Sequence, residues 1–357
     1  NAMKRSVFGQ IRTKREEVLN GAGAGEDCAI FSSGPEGAVA VGVQEAVLDL
    51  GQPADIRQTE MGPTGLGRGQ LDVSWGQQGC RPWNEEAPMT MADLIVKCAN
   101  NLAAGGAEPV AVLVALLLPQ GMEEPQVKAL MAQAEEKCAE LHIQIAGGQT
   151  RMTAAANAPM AVVTGYPRAA EGYGRTAKRA AAPGQDIVLS KWIGLQGTAR
   201  LAESCREKLL ERYPAWLVEE ALGFGRYLSV LPEAEIARKH GVCAMHDASE
   251  GGILGALWEL AEGAGTGLMA DMRMLPLRQE TVEVCECCGV NPYELLSGGC
   301  LVMTAWDGQE LAAALNQAHI PAAVIGRLTE GNDRILRNGD EIRYLDRPRR
   351  DSIYDTI

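Results

Sequence analysis

The chain has 357 residues, 46% of them hydrophobic but only 4% aromatic. That is enough for about two domains, with cores built mainly from Ala, Leu and Val. The formal net charge of −13 argues against a basic face for nucleic acid or an anionic membrane, but leaves a local pocket free to take an anion. No apolar stretch approaches the roughly 18 residues that span a bilayer, and no charged-then-apolar leader opens the chain, so a cytoplasmic protein without membrane contact is expected. Asn1-Ala2 reads as the scar of a cleaved tag, with Met3 as the native start. Ten cysteines show no regular framework and suit reduced thiols. Their one cluster, Cys285, Cys287 and Cys288, lacks the paired CxxC spacing of a metal site.

After a basic start (Arg12, Lys14, Arg15), a glycine-rich loop over 21–25 ends in Glu26-Asp27 and enters an apolar strand at 28–31. A second strand, 38–43, closes on Gln44-Glu45. Strand ends that aim polar groups at one another are common ligand sites in α/β proteins. Residues 52–87 are rich in Gly, Pro and Gln and have no apolar period. They read as a long surface insertion, either a loop without function or an active-site lid.

From Met91 the helical period returns, with Leu94, Ile95, Cys98, Leu102 and Ala103 on one face and Gly105-Gly106 closing the helix. Residues 110–118 are apolar enough for a central strand. A second helix over 124–141 leads to a short strand, 143–146, that ends on Gly147-Gly148-Gln149-Thr150. A strand over 159–166 and a polar connector over 168–183 follow. The connector divides the chain into domains 3–167 and 168–357.

The second half opens with a strand at 185–190 and a helix at 198–210. Residues 246–252 then read His-Asp-Ala-Ser-Glu-Gly-Gly, between the apolar run 242–245 and an amphipathic stretch from Ile253. That is a strand, a polar loop and a helix N-terminus. A carboxylate beside paired glycines there can hold a cation while backbone N–H groups face an anion. A plainly capped helix accounts for the same residues, with Ser249 or Asp247 as the cap and Ile253, Leu254, Leu257, Trp258 and Leu260 as the buried stripe. A helix at 279–288, a turn at Ser297-Gly298-Gly299, a strand at 300–305, a helix at 309–318 and a strand at 322–325 complete the core. The tail, 347–357, is polar and has no evident packing partner.

Five segments in order carry a family resemblance: Gly25-Glu26-Asp27-Cys28-Ala29-Ile30, the run from Asn100-Asn101 to Pro109, Gly147-Gly148-Gln149-Thr150, His246 to Gly252, and Leu295-Leu296-Ser297-Gly298-Gly299. Together they resemble the aminoimidazole ribonucleotide (AIR) synthetase superfamily. It includes that purine enzyme, thiamine-monophosphate kinase, selenophosphate synthetase and the HypE-like hydrogenase maturation factors, and the stretch 246–260 looks most similar to the HypE-like members. The resemblance implies a two-domain PurM-like α/β (α+β) architecture that pairs as a homodimer through its N-terminal sheets. It also implies ATP and Mg²⁺ at the subunit cleft, a small-molecule substrate, and ATP-dependent phosphoryl transfer or activation. Such chemistry asks the protein mainly for positioned metal and a charge-stabilising cradle.

Carried onto this sequence, the resemblance places Glu26, Asp27, Glu45 and Asp247 as metal ligands. Asp27, Asp247 and His246 become candidate catalytic residues, although a structural histidine at a strand end fits His246 equally. Gly25, Asn101, Gly147, Gly148, Gln149, Thr150 and Glu250 become nucleotide-binding residues, with a helix-dipole role also open to Glu250. The chain departs from the family at Asn101 and Gln149, where neutral amides replace usual carboxylates. Mg²⁺ prefers anionic oxygen, so a site for one metal is expected instead of the full complement. The HypE-type reaction modifies a C-terminal cysteine, and the last residues here, 352–357, contain none. A catalytically weakened nucleotide-binding or assembly partner is therefore the alternative.

Overall fold

The computed structural model describes residues 18–20, 29–32, 38–48, 89–168, 180–347 and 351–355. The Gly25-Glu26-Asp27 loop, the insertion 52–87 and the basic start lie outside the described residues. Two mixed sheets organise the chain. The first holds β1 (Val18–Asn20), β2 (Ala29–Ser32), β3 (Ala38–Val47), β4 (Glu108–Leu118), β5 (Gln144–Met152) and β6 (Met160–Arg168), in the order β1-β2-β3-β6-β4-β5. All of its pairings are antiparallel except β4 with β5.

Helices α1 (Met91–Ala104) and α2 (Glu124–Glu140) cover one face of this sheet. Thr90 caps α1 by accepting the Asp93 N–H at 3.0 Å, and Met91, Leu94, Ile95, Cys98 and Leu102 are fully buried. Close seating depends on Gly165 of β6, where a Cβ would lie 2.7 Å from Leu102 Cδ1 and 2.8 Å from Cys98 Sγ. The opposite face is open. One cross-strand row on it is Glu45, Val162, Ala115 and Gln149, and the rows beside it contribute Val43 and Leu117. Val43, Leu117 and Tyr166 are large apolar side chains exposed on this face.

The second sheet holds β7 (Asp186–Ser190), β8 (Val242–Asp247), β9 (Gly267–Asp271), β10 (Leu301–Ala305), β11 (Ala322–Thr329), β12 (Arg334–Asn338) and β13 (Glu341–Tyr344). Its order is β13-β12-β9-β11-β7-β10-β8. The remaining helices are α3 (Leu195–Ser204), α4 (Arg206–Arg212), α5 (Ala215–Leu222), α6 (Leu231–Lys239), α7 (Gly252–Ala264), α8 (Gln279–Cys288) and α9 (Gly308–Gln317). Helix α7 packs with Ile187, Leu189, Ala244 and Val302. On the other face α6 and α9 pack with Val188, Met245, Leu301 and Met303, and Ala103 and Ala104 of α1 join them. Helices α3, α4, α5 and α8 share a further core that includes Ile353.

Several expectations change. Strand β3 runs through Gln44-Glu45, and β5 runs through Gly147 to Thr150, so neither motif lies at a strand end. The helix expected at 198–210 breaks at Cys205 into α3 and α4. The tail is not unpartnered, since Asp351, Ser352 and Ile353 are buried. Reduced thiols hold at Cys98, Cys138, Cys243, Cys285, Cys287, Cys288 and Cys300, whereas Cys205 is disulfide-bonded. Burial pushes the Cys285 and Cys288 thiols up to about 12, which suits packing rather than reactivity.

Strand β5 depends on a missing side chain, because a Cβ on Gly148 would sit 1.8 Å from the Val114 carbonyl oxygen of β4. Gly148→Ala is therefore expected to cost about 3 kcal/mol or more in urea denaturation. Gly147→Ala carries the same backbone strain (φ 155° against 151° at Gly148), but its Cβ would meet only Leu113 Cδ2 at 3.6 Å, so it should cost less than Gly148→Ala.

Candidate functional site

A shallow cleft opens between α1 and the second sheet. Helix α1 supplies Asp93, Lys97 and Asn100, and the opposite wall supplies Gln196, Asp247, Ser249, Gly298 and Gly299. Asp247 ends β8 and is 3% exposed. Alternation along β8 decides what its neighbour does. Asp247 lies level with Leu301 and His246 with Val302, and those two partners belong to opposite faces of the sheet. His246 therefore turns away from the cleft, with its Nε2 3.1 Å from Glu259 Oε2 of α7. Its placement matches the structural reading rather than contact with a substrate beside Asp247.

The N-terminus of α7 also differs from expectation. Its cap is Gly251 in the left-handed region (φ 80°), without a side-chain cap of its own, so neither Ser249 nor Asp247 has that role. The Gly251 N–H donates to Asp351 Oδ2 at 2.7 Å. The Gly252 N–H donates to the Ser249 carbonyl and the Leu254 N–H to the Tyr293 carbonyl. The N–H groups of Gly251, Gly252 and Leu254 thus already have partners within the chain. Glu250 forms an ion pair with Lys97 at 3.1 Å, which links the two domains across the mouth of the cleft.

Asn100, which the sequence reading passed over for its neighbour, spans the same junction. Its Nδ2 donates to the Leu228 carbonyl at 2.7 Å, and its Oδ1 accepts the Val230 N–H at 3.0 Å. From the other side, the buried Lys191 ammonium donates to the Tyr227 and Ser229 carbonyls at 2.7 Å each and pairs with Glu233 at 2.6 Å. Burial raises the Glu233 pKa, with Lys191 opposing the shift. Residues 227–230 are therefore fixed from both domains.

The remaining expected residues lie elsewhere. Asn101 is buried in α1, while Gln149 and Thr150 are exposed on the edge strand β5. Gly147 and Gly148 lie in that strand, and Glu45 shares the open-face row with Gln149. The structure thus separates Asp247 and Glu250 at the cleft from Glu45 and Gln149 on the open sheet face. Among the described residues no group of three or more His, Cys, Asp and Glu could hold a metal ion. Sequence reasoning missed Asp93, Lys97, Asn100, Gln196 and Asp351. Of these, Asn100 falls within a segment that the resemblance had marked.

Residues 88–167 match the family model "AIR synthase related protein, N-terminal domain", and residues 182–337 match its C-terminal counterpart. Together they take in most of the chain, which belongs to the AIR synthase related family and has the two-domain PurM-like α/β fold. Relatives similar to it include HypE proteins. Carbamoyl dehydratase HypE of Rhodobacter capsulatus is 28% identical over 234 residues, 64% of this chain and 66% of that protein, just under two thirds of the relative's length. The structure of a HypE–HypF complex aligns with a TM-score of 0.70 at 17% identity, covering 98% of this chain and 100% of that one. HypE in complex with ATP aligns at 0.65 and 16% identity, covering 96% and 92%.

Asn100→Ala leaves a buried carbonyl and a buried N–H without partners. It is expected to lower stability by about 3 kcal/mol in chemical denaturation, and Asn101→Ala by less. Asp351 gives a pH signature. Burial, opposed by N–H bonds from Ile353, Gly251 and Leu296 and reinforced by Glu250, pushes its pKa from 3.8 up to about 6. A raised carboxyl holds its proton more tightly in the folded state. Its contribution is therefore fully present below the unfolded value of 3.8 and is lost as pH rises through about 6. The stability difference between the parent chain and Asp351→Asn should grow in the parent's favour by up to about 3 kcal/mol as pH falls across that window. A difference that stays flat from pH 4 to 7 would contradict this assignment.

Proposed function

We propose that the chain binds ATP with Mg²⁺ as a homodimer and uses it for phosphoryl transfer to, or activation of, a small-molecule substrate. The observation that carries this reading is Asp247, a buried carboxylate lining an interdomain cleft in an AIR synthase related fold. Its relatives support it, since one is a carbamoyl dehydratase and one similar HypE structure contains ATP.

The donor set fits one Mg²⁺. This ion commonly takes one or two carboxylates and completes its octahedron with water and phosphate oxygens. Asp247 supplies one carboxylate, the Ser249 hydroxyl lies in the same cleft, and Glu26 and Asp27 are the further proposed ligands. When bound, the metal would neutralise phosphate charge as it redistributes during transfer. The chain's own part is positional. Asn100 and Lys191 fix one side of the cleft, and the Lys97–Glu250 pair ties its mouth.

The homodimer reading rests on the open sheet face. Val43, Leu117 and Tyr166 are exposed there around Glu45 and Gln149, and a second copy seated on that face would bury them. It would also place Glu45 at a subunit boundary, away from its own chain's cleft. A specific observation favours a second reading, a catalytically weakened nucleotide-binding or assembly partner. Asn101 and Gln149 bring no charge, and the adjacent Asn100 carboxamide is fully used in holding Leu228 and Val230.

Isothermal titration with Mg²⁺-ATP is expected to show saturable binding that weakens at least about tenfold in Asp247→Asn. No heat at millimolar nucleotide would count against both readings. Binding without hydrolysis or transfer over candidate substrates would select the second. Val43→Glu should convert a sedimenting dimer to a monomer without unfolding it, because Val43 is already 49% exposed in the single chain. A variant that remains dimeric would remove the sheet face from the proposal.

A further inference from the structure

The C-terminal segment 351–355 carries one of the most heavily bonded carboxylates in the structure. Asp351 is 4% exposed. One of its oxygens, Oδ2, accepts the Gly251 N–H at 2.7 Å. The other, Oδ1, accepts the Leu296 N–H at 3.1 Å and the Ile353 N–H at 3.0 Å. Gly251 and Leu296 belong to different loops. The first leads into α7 and carries Ser249; the second carries Gly298 and Gly299. All three of those residues line the cleft.

Neighbouring contacts make the segment more than a helix cap. The Ser352 N–H donates to the Glu294 carbonyl at 3.1 Å, and Ser352 Oγ donates to Glu294 Oε2 at 3.3 Å. Ile353, 2% exposed, inserts among Leu295, Leu296 and the helical core behind them. The two loops touch directly through the Ser297 N–H, which donates to the Ser249 carbonyl at 3.1 Å. That bond and the one from the Leu254 N–H to the Tyr293 carbonyl are supplemented by the carboxylate, which clamps both loops two residues away from the cleft-lining positions.

We propose that segment 351–355 is a strap that sets the spacing of the two loops forming one wall of the cleft. When it undocks, Ser249 and Gly298-Gly299 loosen together while the sheet behind them stays folded. This follows from the placement of the contacts. The strap holds loop backbone and one apolar pocket, whereas β8 and β10 are secured by their own ladder. A short segment that belongs to neither sheet and is held by these loop contacts and one apolar pocket can open locally at less cost than a strand secured in its ladder. It is thus suited to opening the wall without global unfolding, and the inference stands whether or not the cleft takes a nucleotide.

The test is amide hydrogen exchange, read by mass spectrometry on the full chain, for peptides covering 248–254 and 293–299, with β10 as the internal control. Asp351→Ala is expected to raise exchange about tenfold or more in both loop peptides and to leave β10 unchanged. Asp351→Asn separates a strap from general stabilisation. Its amide oxygen still accepts from Leu296 and Ile353, but its NH₂ opposes the Gly251 N–H, so exchange should rise at 248–254 and far less at 293–299. Ile353→Ala pulls the segment from its pocket with the carboxylate intact and should loosen both loops. If Asp351→Ala does not fold, the other two variants carry the test. Unchanged loop exchange in the variants, or a rise that includes β10 to the same degree, would overturn the proposal.

Discussion

Helix α1 packs against two domains at once, and the geometry of the cleft depends on that constraint. Its apolar stripe is fully buried on the first sheet, while Ala103 and Ala104 at its end join the core of the second. A helix held this way cannot slide without disturbing both cores, because close-packed interiors transmit displacement instead of absorbing it. Asn100 adds direction to the packing. Its carboxamide is matched to one carbonyl and one N–H two residues apart, so a turn of α1 about its axis would leave buried polar groups unpaired. Asp93, Lys97 and Asn100 consequently face Asp247 in a fixed arrangement.

The wall opposite α1 is assembled differently. Buried groups there are satisfied by short-range exchanges between loops: Ala248 with Cys300, Ser297 with Ser249, Gly194 with the Ser297 hydroxyl, and Gly251 and Leu296 with Asp351. The α7 dipole favours a negative group at its first turn, and the chain provides one from its own far end. The difference between the walls follows from their composition. One is a helix locked by packing, the other a set of loops locked by hydrogen bonds.

The parts of this arrangement that were legible in the sequence are those with a local period. Helix α1 was readable from its apolar stripe and Gly105-Gly106, and α8 from its pattern at 279–288. The order of motifs identified the family correctly. Boundaries failed where tertiary contacts overrule local signals. Gly147-Gly148 looks like a strand terminus in isolation, yet β5 continues through it because the approach of the Val114 carbonyl demands a residue without Cβ. The roles of His246 and Asp247 depended on the parity of β8 relative to its neighbours, which adjacent residues in a sequence do not reveal. Asp351 was the hardest to foresee. Its partners lie 100 and 55 residues away, and nothing in a polar tail signals that one of its carboxylates will be buried.

The separation of the acidic residues bears on how the amide replacements at Asn101 and Gln149 should be understood. Gln149 lies in one row with Glu45, with two strands between them on the open sheet face, whereas Asn101 is buried in α1 at the other side of the sheet. The two missing charges are therefore not removed from one cluster. A carboxylate at position 101 would be a buried charge next to the interdomain bonds of Asn100, and without a metal its desolvation would strain the junction. A carboxylate at 149 would stand close to solvent on the open face and would cost little. The neutral Asn101 thus suits a helix that joins two cores, while the neutral Gln149 lowers the negative charge on a face whose other residues are largely apolar. The neutral Asn101 therefore favours a rigid interdomain junction, and the neutral Gln149 would favour the proposed pairing through the sheet. Asp247 remains the buried carboxylate of the cleft on which the proposed metal site rests.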